Sequence, residues 1–461
     1  MTEKRKVRIL VMKFKKAAAL FLSLAMAGGM LAGCGGDSAS SQPSTNSGAN
    51  SGSTQAAEPG SEPVTLRFSW WGGDSRHAAT QEAIEAFMDK YPNITVKAEF
   101  GAWSGWEENV STQLMSQTAP DLMQINWNWI TSYSSDGSSF LDLNTVSDVV
   151  DLTQWKQADL DQCTVNGNNL QAVPVALTGR IFYWNKTTFE QAGLETPKTF
   201  ADLMAAGPVF KEKLGDGYYP MAMGEYDRMI FMVYYLESVY GKPWVTEGKL
   251  NYTEAEIKEG LDVLAKMEQE HVIPTLKKIA GDGADSLDKN QNWIDGHYAG
   301  IFEWDSSASK FIKAAPESEI VVGEFLSDIG DYQGGFTKVS MAFAISANSE
   351  HPREAALLMQ FLLGEDEGAK IMASERGVPA NQNALKVCTE NNLLDANVSE
   401  ANAKVMEWCQ FSLDPLFEDN ALKSNPDGVY YKVMAKVSYG ELDTAQGAAE
   451  LVSGITELLN K

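Results

Sequence analysis

Residues 64–71, Val-Thr-Leu-Arg-Phe-Ser-Trp-Trp, open a stretch of about sixty residues that decides the fold. Their apolar side chains alternate with polar ones, which is the period of two expected for a half-buried β-strand. Gly72-Gly73 interrupts the pattern, and apolar residues at helical spacing follow until Tyr91-Pro92. A strand followed by an amphipathic helix is therefore predicted, with Asp74 or Ser75 as the helix cap.

The same alternation of strand and helix continues to residue 125. Residues 94–100 again alternate apolar and polar side chains, residues 106–115 predict a second amphipathic helix, and residues 122–125 are a short apolar run. Strand, helix, strand, helix, strand is typical of an open, mainly parallel α/β sheet. In such sheets ligands bind beyond the carboxyl ends of the strands.

Tryptophan is concentrated at those strand ends. Six of the twelve tryptophans lie between residues 70 and 129, at or just past a predicted strand. An indole ring gives a sugar ring an apolar face to stack on, and neighbouring polar side chains supply the directional bonds that hydroxyls need. Each residue has a plainer alternative as an ordinary core or capping residue. The ligand contacts predicted in this part of the chain are Trp71, Asp74, Arg76, Trp103, Trp106, Asn126, Trp127 and Trp129.

The first 63 residues predict a lipid anchor rather than a folded domain. Residues 1–33 combine a basic start with an apolar run too short to span a bilayer, as in a secretory signal peptide. Leu31-Ala-Gly-Cys34 resembles a bacterial lipobox, in which the cysteine is lipidated, although a plain signal with a chance cysteine is the alternative. Residues 34–63 have the composition of a flexible leash. We therefore expect a folded body held at the extracytoplasmic face of a bacterial cell membrane.

Composition excludes several classes of function. A net charge of −25 disfavours nucleic acid and anionic lipid surfaces as partners, and favours a neutral or cationic small ligand. The four histidines are scattered and no phosphate-binding loop or nucleophile motif is present, so neither a metal nor a cofactor is expected. Cys163, Cys388 and Cys409 remain beyond Cys34. A disulfide between Cys388 and Cys409 is one possibility. The simpler interpretation is that all three are small buried residues with free thiols.

Several short motifs occur in an order that resembles a known family. The chain is similar to the extracellular solute-binding proteins of carbohydrate-uptake ABC transporters, the class that includes maltodextrin-binding proteins. Each motif is weak alone, and their order and spacing along the mature chain carry the resemblance. The matching segments are Trp70–Arg76, Ala119-Pro-Asp121, Val173-Pro-Val-Ala-Leu-Thr-Gly179, Phe182-Tyr-Trp-Asn-Lys186, Ala192-Gly-Leu-Glu-Thr-Pro197, Ala299-Gly-Ile-Phe-Glu-Trp304 and Gly377-Val-Pro-Ala-Asn381.

The resemblance implies two α/β lobes joined by three crossovers, with the ligand in the cleft between them. Lobe one would hold residues 64–175 and 341–391, and lobe two residues 176–340 and 392–461. Trp304 would then face the tryptophan-rich loops of lobe one, and we expect Trp304 and Trp127 to act as stacking platforms from opposite lobes. Asp74 and Arg76 would bond sugar hydroxyls. The further cleft candidates are Arg180, Tyr183, Tyr226, Trp293, Trp304, Asp305 and Gly335.

The function implied is capture of a sugar, most simply an oligosaccharide, by a monomer that delivers it to ABC permease subunits. A non-sugar ligand within the same family is one alternative. A secreted glycan-active enzyme is another, with Glu303 and Asp305 as an acid–base pair, although such carboxylate pairs arise by chance in an acidic chain and need not bracket a glycosidic bond. A non-transport adhesion lipoprotein would be expected to show repeats, and none is evident.

Overall fold

The structure, a computed structural model, describes residues 62–103, 105–246, 248–284 and 286–460. The predicted signal peptide, the predicted lipidation site Cys34 and nearly all of the predicted 34–63 leash lie outside these ranges. In the part of the chain that is described, no helix combines the length and the apolar character needed to cross a bilayer.

The first three strands follow the predicted pattern closely. β1 (Val64–Trp71) pairs in parallel with β2 (Ile94–Gly101) along its whole length, and with β3 (Leu122–Ile125) on its other side. Two helices, α1 (Asp74–Lys90) and α2 (Trp106–Met115), connect the strands. Leu66, Phe68 and Trp70 point into the core, as the period of two predicts. The α/β class of the chain is therefore confirmed.

Two long strands carry the sheet into the second half of the chain. β6 (Val173–Asn185) pairs with β11 (Phe336–Ile345) over its first half. Beyond Gly179, β6 instead pairs with β9 (Gly300–Trp304) and β10 (Ile320–Val322). The resulting strand order is β10-β6-β11-β3-β1-β2, with β9 also on β6 and β12 (Phe411–Ser412) on β11. One hydrogen-bonded sheet thus includes both a first strand group, β1 to β3, and a second, β9 and β10 with the end of β6.

The remaining elements are helices and two small hairpins. The hairpins are β4 (Thr164–Val165) with β5 (Asn169–Leu170), and β7 (Val245–Thr246) with β8 (Lys249–Leu250). The other helices are α3 (Trp129–Ser134), α4 (Gln157–Asp161), α5 (Lys186–Gln191), α6 (Phe200–Lys213), α7 (Glu225–Tyr240), α8 (Glu254–Gln269), α9 (Leu276–Gly281), α10 (Gln291–Ile294), α11 (Ala308–Ala314), α12 (Pro352–Gly364), α13 (Asp366–Met372), α14 (Gln382–Glu390), α15 (Ala396–Trp408), α16 (Asn420–Lys423), α17 (Val429–Ser438) and α18 (Thr444–Leu459).

Two local predictions are settled by the structure. The N-cap of α1 is Gly73, which makes no side-chain cap, and Asp74 is the first helical residue; the prediction that Asp74 or Ser75 caps this helix is wrong. Asp74 nevertheless lies in the first turn, where a carboxylate interacts favourably with the helix dipole.

Cys163, Cys388 and Cys409 are free thiols, so no Cys388–Cys409 disulfide forms.

Gly179 lies at the point where β6 changes partners, and its missing side chain allows the strands to approach. A Cβ atom there would lie 2.6 Å from Cγ1 of Val405 on α15 and 2.7 Å from the backbone oxygen of Phe336. Real Cβ atoms do not approach backbone oxygens so closely. The crossover of β6 and β11 therefore requires glycine at this position.

We predict that Gly179→Ala lowers the free energy of unfolding by about 1–3 kcal/mol, because the strands must separate to admit the methyl group. Denaturant unfolding followed by circular dichroism measures the change. Gly217→Ala is the matched control, since nothing lies within 4 Å of its Cβ position. Equal stability of the two variants would show that the crossover is not tightly packed.

Candidate functional site

A cluster of aromatic rings lies at the carboxyl ends of β1 and β2. The ring centroids of Trp71 and Trp103 are 5.1 Å apart, and both indoles pack on Trp129, at 5.5 and 6.0 Å. Trp103 is 45% exposed and Trp71 is partly exposed, whereas Trp129 is fully buried beneath them. Of the tryptophans predicted at these strand ends, Trp71 and Trp103 therefore present the free indole surface.

The neighbouring tryptophans belong to the core, which corrects the sequence-based prediction. Trp127 is 2% exposed and donates from Nε1 to the backbone oxygen of Gln162, at 2.9 Å. Trp106 and Trp129 are also buried, on α2 and α3, and Asn126 beside them is nearly so. The prediction that Trp127 is a stacking platform is wrong for this conformation, because its ring has no face free for a ligand.

Arg76 does not lie in solvent but ties the first turn of α1 to two backbone carbonyls. Its Nε donates to the oxygen of Glu375 at 3.0 Å, and its Nη1 to the oxygen of Trp71 at 3.2 Å. Burial lowers the pKa of Arg76, although the Glu375 carboxylate partly opposes the shift. Asp74 is exposed two residues away. Arg76 thus contacts the Trp71 backbone, and Asp74 lies in the same helical turn.

A second aromatic surface is built around Trp304 at the end of β9. Arg180 lies opposite Trp304 in the β6–β9 ladder, with its guanidinium carbon 4.6 Å from the indole centroid. Nζ of Lys338, from β11, lies 4.9 Å from the same ring. The Tyr183 hydroxyl donates to the backbone oxygen of Trp304 at 3.1 Å. Two cations therefore lie against the ring of a partly exposed indole.

Carboxylates balance both cations. Arg180 donates from Nη1 to Asp227 at 2.6 Å and to Glu303 at 3.0 Å, and these pairs keep the pKa of Arg180 raised in spite of its burial. Lys338 donates to Glu418 at 2.7 Å, and Lys423 lies 3.5 Å from the same carboxylate. Burial opposes the charge on Glu418, yet the two lysines outweigh it and lower its pKa to about 2. The surroundings of Trp304 are charged but locally neutral.

Strand β11 connects the two strand groups that carry the aromatic surfaces. On β11, Ala342 pairs with Ile125 at the carboxyl end of β3, while Thr337 pairs with Gly179, next to Arg180. Five residues of extended strand span about 17 Å, which is the length of a few sugar rings. A ligand at the carboxyl ends of the first strand group could therefore reach Trp304.

Four further predicted residues support this region without offering it a free surface. Tyr183 is buried, and so is Trp293, which donates to the oxygen of Phe311. Asp305 accepts from Thr178 and Asn402, and its burial raises its pKa to about 6. Gly335, at φ +96°, donates its amide to the buried Glu237 at 2.9 Å. The prediction that Tyr183, Trp293 and Asp305 contact ligand is corrected here, since each side chain is enclosed by protein.

Tyr226 is partly exposed and connects the two charged pairs. Its hydroxyl donates to Glu418 at 3.3 Å, and its ring lies 5.8 Å from the guanidinium of Arg180. A cavity of about 330 Å³ is bordered by Tyr226, Tyr431, Arg180 and Glu303. Within the described residues no group of three or more His, Cys, Asp or Glu side chains is arranged to hold a metal ion.

The sequence interpretation missed the Lys338–Glu418 pair near Trp304. It also missed Arg376, which donates to Gln124, and Gln124, which donates to the Trp71 carbonyl. Lys338 lies in a strand whose residues are mostly apolar, and a lysine in such a strand is a usable signal of a buried ion pair. Glu418 stands in a short 3-10 helix, Pro415–Glu418, that no periodicity marks. Its pairing with a residue 80 positions away depends on tertiary structure alone.

Comparison with known proteins identifies the family. The profile of the bacterial extracellular solute-binding proteins matches residues 73–369, which is more than half of the chain. The chain belongs to this family. The two-lobed α/β fold class and the family resemblance predicted from the sequence are both confirmed.

Solved structures of similar proteins share the architecture. A periplasmic solute binding protein from Pectobacterium atrosepticum is 32% identical, with a TM-score of 0.80, over 86% of this chain and 99% of that one. A periplasmic oligogalacturonide binding protein from Yersinia enterocolitica, in complex with saturated digalacturonic acid, is 33% identical, with a TM-score of 0.79 and the same coverage. A putative binding protein of Brucella abortus is 22% identical over 67% of this chain and 74% of its own length.

We predict that Lys338→Met destabilises the fold by roughly 3 kcal/mol, because it leaves the buried Glu418 carboxylate with Lys423 as its nearest cation. The double variant Lys338→Met, Glu418→Leu should recover most of the loss, since it removes both charges. Urea unfolding of the wild-type protein, the single variant and the double variant measures their free energies of unfolding. A double variant no more stable than the single one would show that the pair is not the cause.

The same pair should give a pH dependence of known sign. The folded-state pKa of Glu418 is about 2, below its usual 4.5, so its stabilising contribution is complete above about pH 4.5. The contribution is lost as the pH falls from 4.5 towards 2. The free energy of unfolding of the wild-type protein should therefore fall relative to that of the double variant across that window.

Proposed function

We propose that this protein is a membrane-tethered receptor that captures an oligosaccharide and delivers it to an ABC permease. The single observation that carries the proposal is the partly exposed Trp304 indole, which Arg180 and Lys338 contact at the junction of β6, β9 and β11. The binding of digalacturonic acid by the Yersinia relative supports an oligosaccharide as the ligand class. Membership of the solute-binding family supports a permease as the partner.

The arrangement suits stacking followed by enclosure. A pyranose presents an apolar C–H face, and an immobilised indole binds that face with little conformational entropy left to lose. Trp71 and Trp103 offer a second exposed aromatic surface at the carboxyl ends of β1 and β2. We propose that these two, rather than the buried Trp127, are the platforms of the first strand group, and that the ligand bridges them and Trp304.

The carboxylates near Trp304 support a binding role rather than catalysis. Glu303 is paired with Arg180, and Asp305 is held by Thr178 and Asn402. A general acid and its partner carboxylate must both face the scissile bond. We therefore propose that the protein is not an enzyme. Incubating it with a bound oligosaccharide and analysing the mixture by chromatography should recover the sugar intact; any cleavage product would contradict this.

We predict that Trp304→Ala lowers the affinity for every accepted oligosaccharide by about tenfold or more, because the stacking surface of the Trp304 indole is lost. Calorimetric titration with a panel of manno-, xylo-, malto-, galacto- and galacturono-oligosaccharides identifies the ligands and measures the effect. Tyr439→Ala removes an aromatic ring that is 45% exposed just past the end of α17, and should leave affinity unchanged. An affinity within twofold of the wild type for Trp304→Ala would refute the proposed site.

The tether gives a separate prediction. Cys34→Ala should release the protein to the medium or leave an unprocessed precursor, because the thiol that would carry the lipid is gone. Fractionation of producing cells, followed by mass analysis of the protein, measures the outcome. Unchanged membrane association together with an unchanged mature mass would show that Cys34 is not the anchor.

A further inference from the structure

Two arginines meet beneath the Trp71 surface at the carboxyl ends of β1 and β3. Arg376 donates from Nε to Oε1 of Gln124 at 2.8 Å, and Gln124 donates to the Trp71 carbonyl at 3.2 Å. Arg76 donates to the same carbonyl, also at 3.2 Å. The backbone of Trp71 thus joins both guanidinium groups into one network. The network lies at the sheet edge where ligands of α/β proteins bind.

The donors of Arg376 are not all used. Its Nη2 is buried with no acceptor among the described residues, and Nη1 has a contact only with the Met372 sulfur, at 3.8 Å. One face of the guanidinium is covered by the Phe343 ring, whose centroid is 5.5 Å from the guanidinium carbon. Arg376 also borders a cavity of about 30 Å³. The Nη1–Nη2 edge, which suits bidentate binding of a carboxylate, is therefore buried without an oxygen acceptor among the described residues.

Positive charge is in excess at this point. Burial lowers the pKa of Arg376 well below its usual value, and the neighbouring charge of Arg76 lowers it further. Glu375 is the carboxylate that acts on both arginines, and its side chain accepts a hydrogen bond from Ser75 rather than from either. Around Trp304, by contrast, Arg180 and Lys338 each have a carboxylate partner. Two arginines with one carboxylate are conspicuous in a chain of net charge −25.

We propose that Arg76 and Arg376 form a subsite for the carboxylate of an acidic sugar, so that the oligosaccharide of the proposed function contains a hexuronate unit. The inference rests on the proposed function, because it assumes a sugar stacked at Trp71. A carboxylate supplies both the paired acceptors and the negative charge that this network lacks. A neutral hydroxyl supplies an acceptor but leaves the charge excess in place. The acidity of the whole chain favours neutral or cationic ligands, and this subsite reverses that preference locally.

The test compares ligands that differ only in charge. Trigalacturonate and its fully methyl-esterified form have the same rings and linkages, but the ester is neutral. Calorimetric titration of the wild-type protein should show the acid binding about 10- to 100-fold more tightly than the ester, because charge-assisted hydrogen bonds are lost. Neutral galacto-oligosaccharides of the same length are titrated alongside.

Three variants assign the effect to these residues. Arg76→Gln and Arg376→Gln should each bring the acid-to-ester affinity ratio close to one. Arg353→Gln, which removes an exposed arginine paired with Asp148, should leave the ratio unchanged. If Arg376→Gln fails to fold, the acid-to-ester affinity ratio of the wild-type protein and that of Arg76→Gln still test the proposal, because Arg76 is partly exposed.

Each outcome has a distinct meaning. Equal binding of acid and ester, or binding of neutral sugars alone, would overturn the acidic subsite while leaving the oligosaccharide receptor in place. An acid preference that persists in Arg76→Gln and Arg376→Gln would place the carboxylate elsewhere and also overturn it. Failure of every oligosaccharide in the panel to bind would overturn the proposed function, and the subsite with it.

Discussion

The antiparallel pairing of β6 with β11 is the constraint on which the rest of the structure depends. These two strands are long enough to pair with each other, with β3 on one side and with β9 and β10 on the other. Arg180, Tyr183 and Lys338 lie on these two strands, Trp304 lies on β9 beside β6, and Trp71 lies on β1, which β3 joins to β11. Since hydrogen-bonded strands fix the position of their side chains, the spacing between Trp71 and Trp304 themselves is determined by backbone pairing rather than by loops.

Electrostatics divides the site into two unlike halves. Around Trp304 each buried cation has a carboxylate partner, so the charge cancels before any ligand arrives, and the groups act mainly to orient the ring. Beneath Trp71 the arginines are held by neutral acceptors, two carbonyls and an amide. Amide and carbonyl dipoles satisfy hydrogen bonds without cancelling charge, which leaves that half suited to an anion. A strongly acidic protein can therefore hold a locally cationic surface.

Sequence periodicity predicted the first five elements because each has a clear pattern of its own. β1, β2 and β3 were placed correctly, and helix α2 begins at Trp106 as expected. The same reasoning failed for Trp106, Trp127 and Trp129. Position after a strand end says that a side chain lies near the ligand edge, but not whether its ring faces solvent or turns under its neighbours. Burial there depends on packing between segments distant in sequence, such as Trp127 with Gln162.

The three cysteines of the folded body have a practical consequence. Cys163 and Cys388 are buried and Cys409 is largely enclosed, and burial raises the pKa of all three thiols. Thiolate is the reactive form, so these side chains should resist alkylating dyes while the protein is folded. A new cysteine introduced on the exposed face beside Trp103 would then be labelled selectively without first removing the native ones. A dye attached to that cysteine would report ligand binding through a change in its fluorescence.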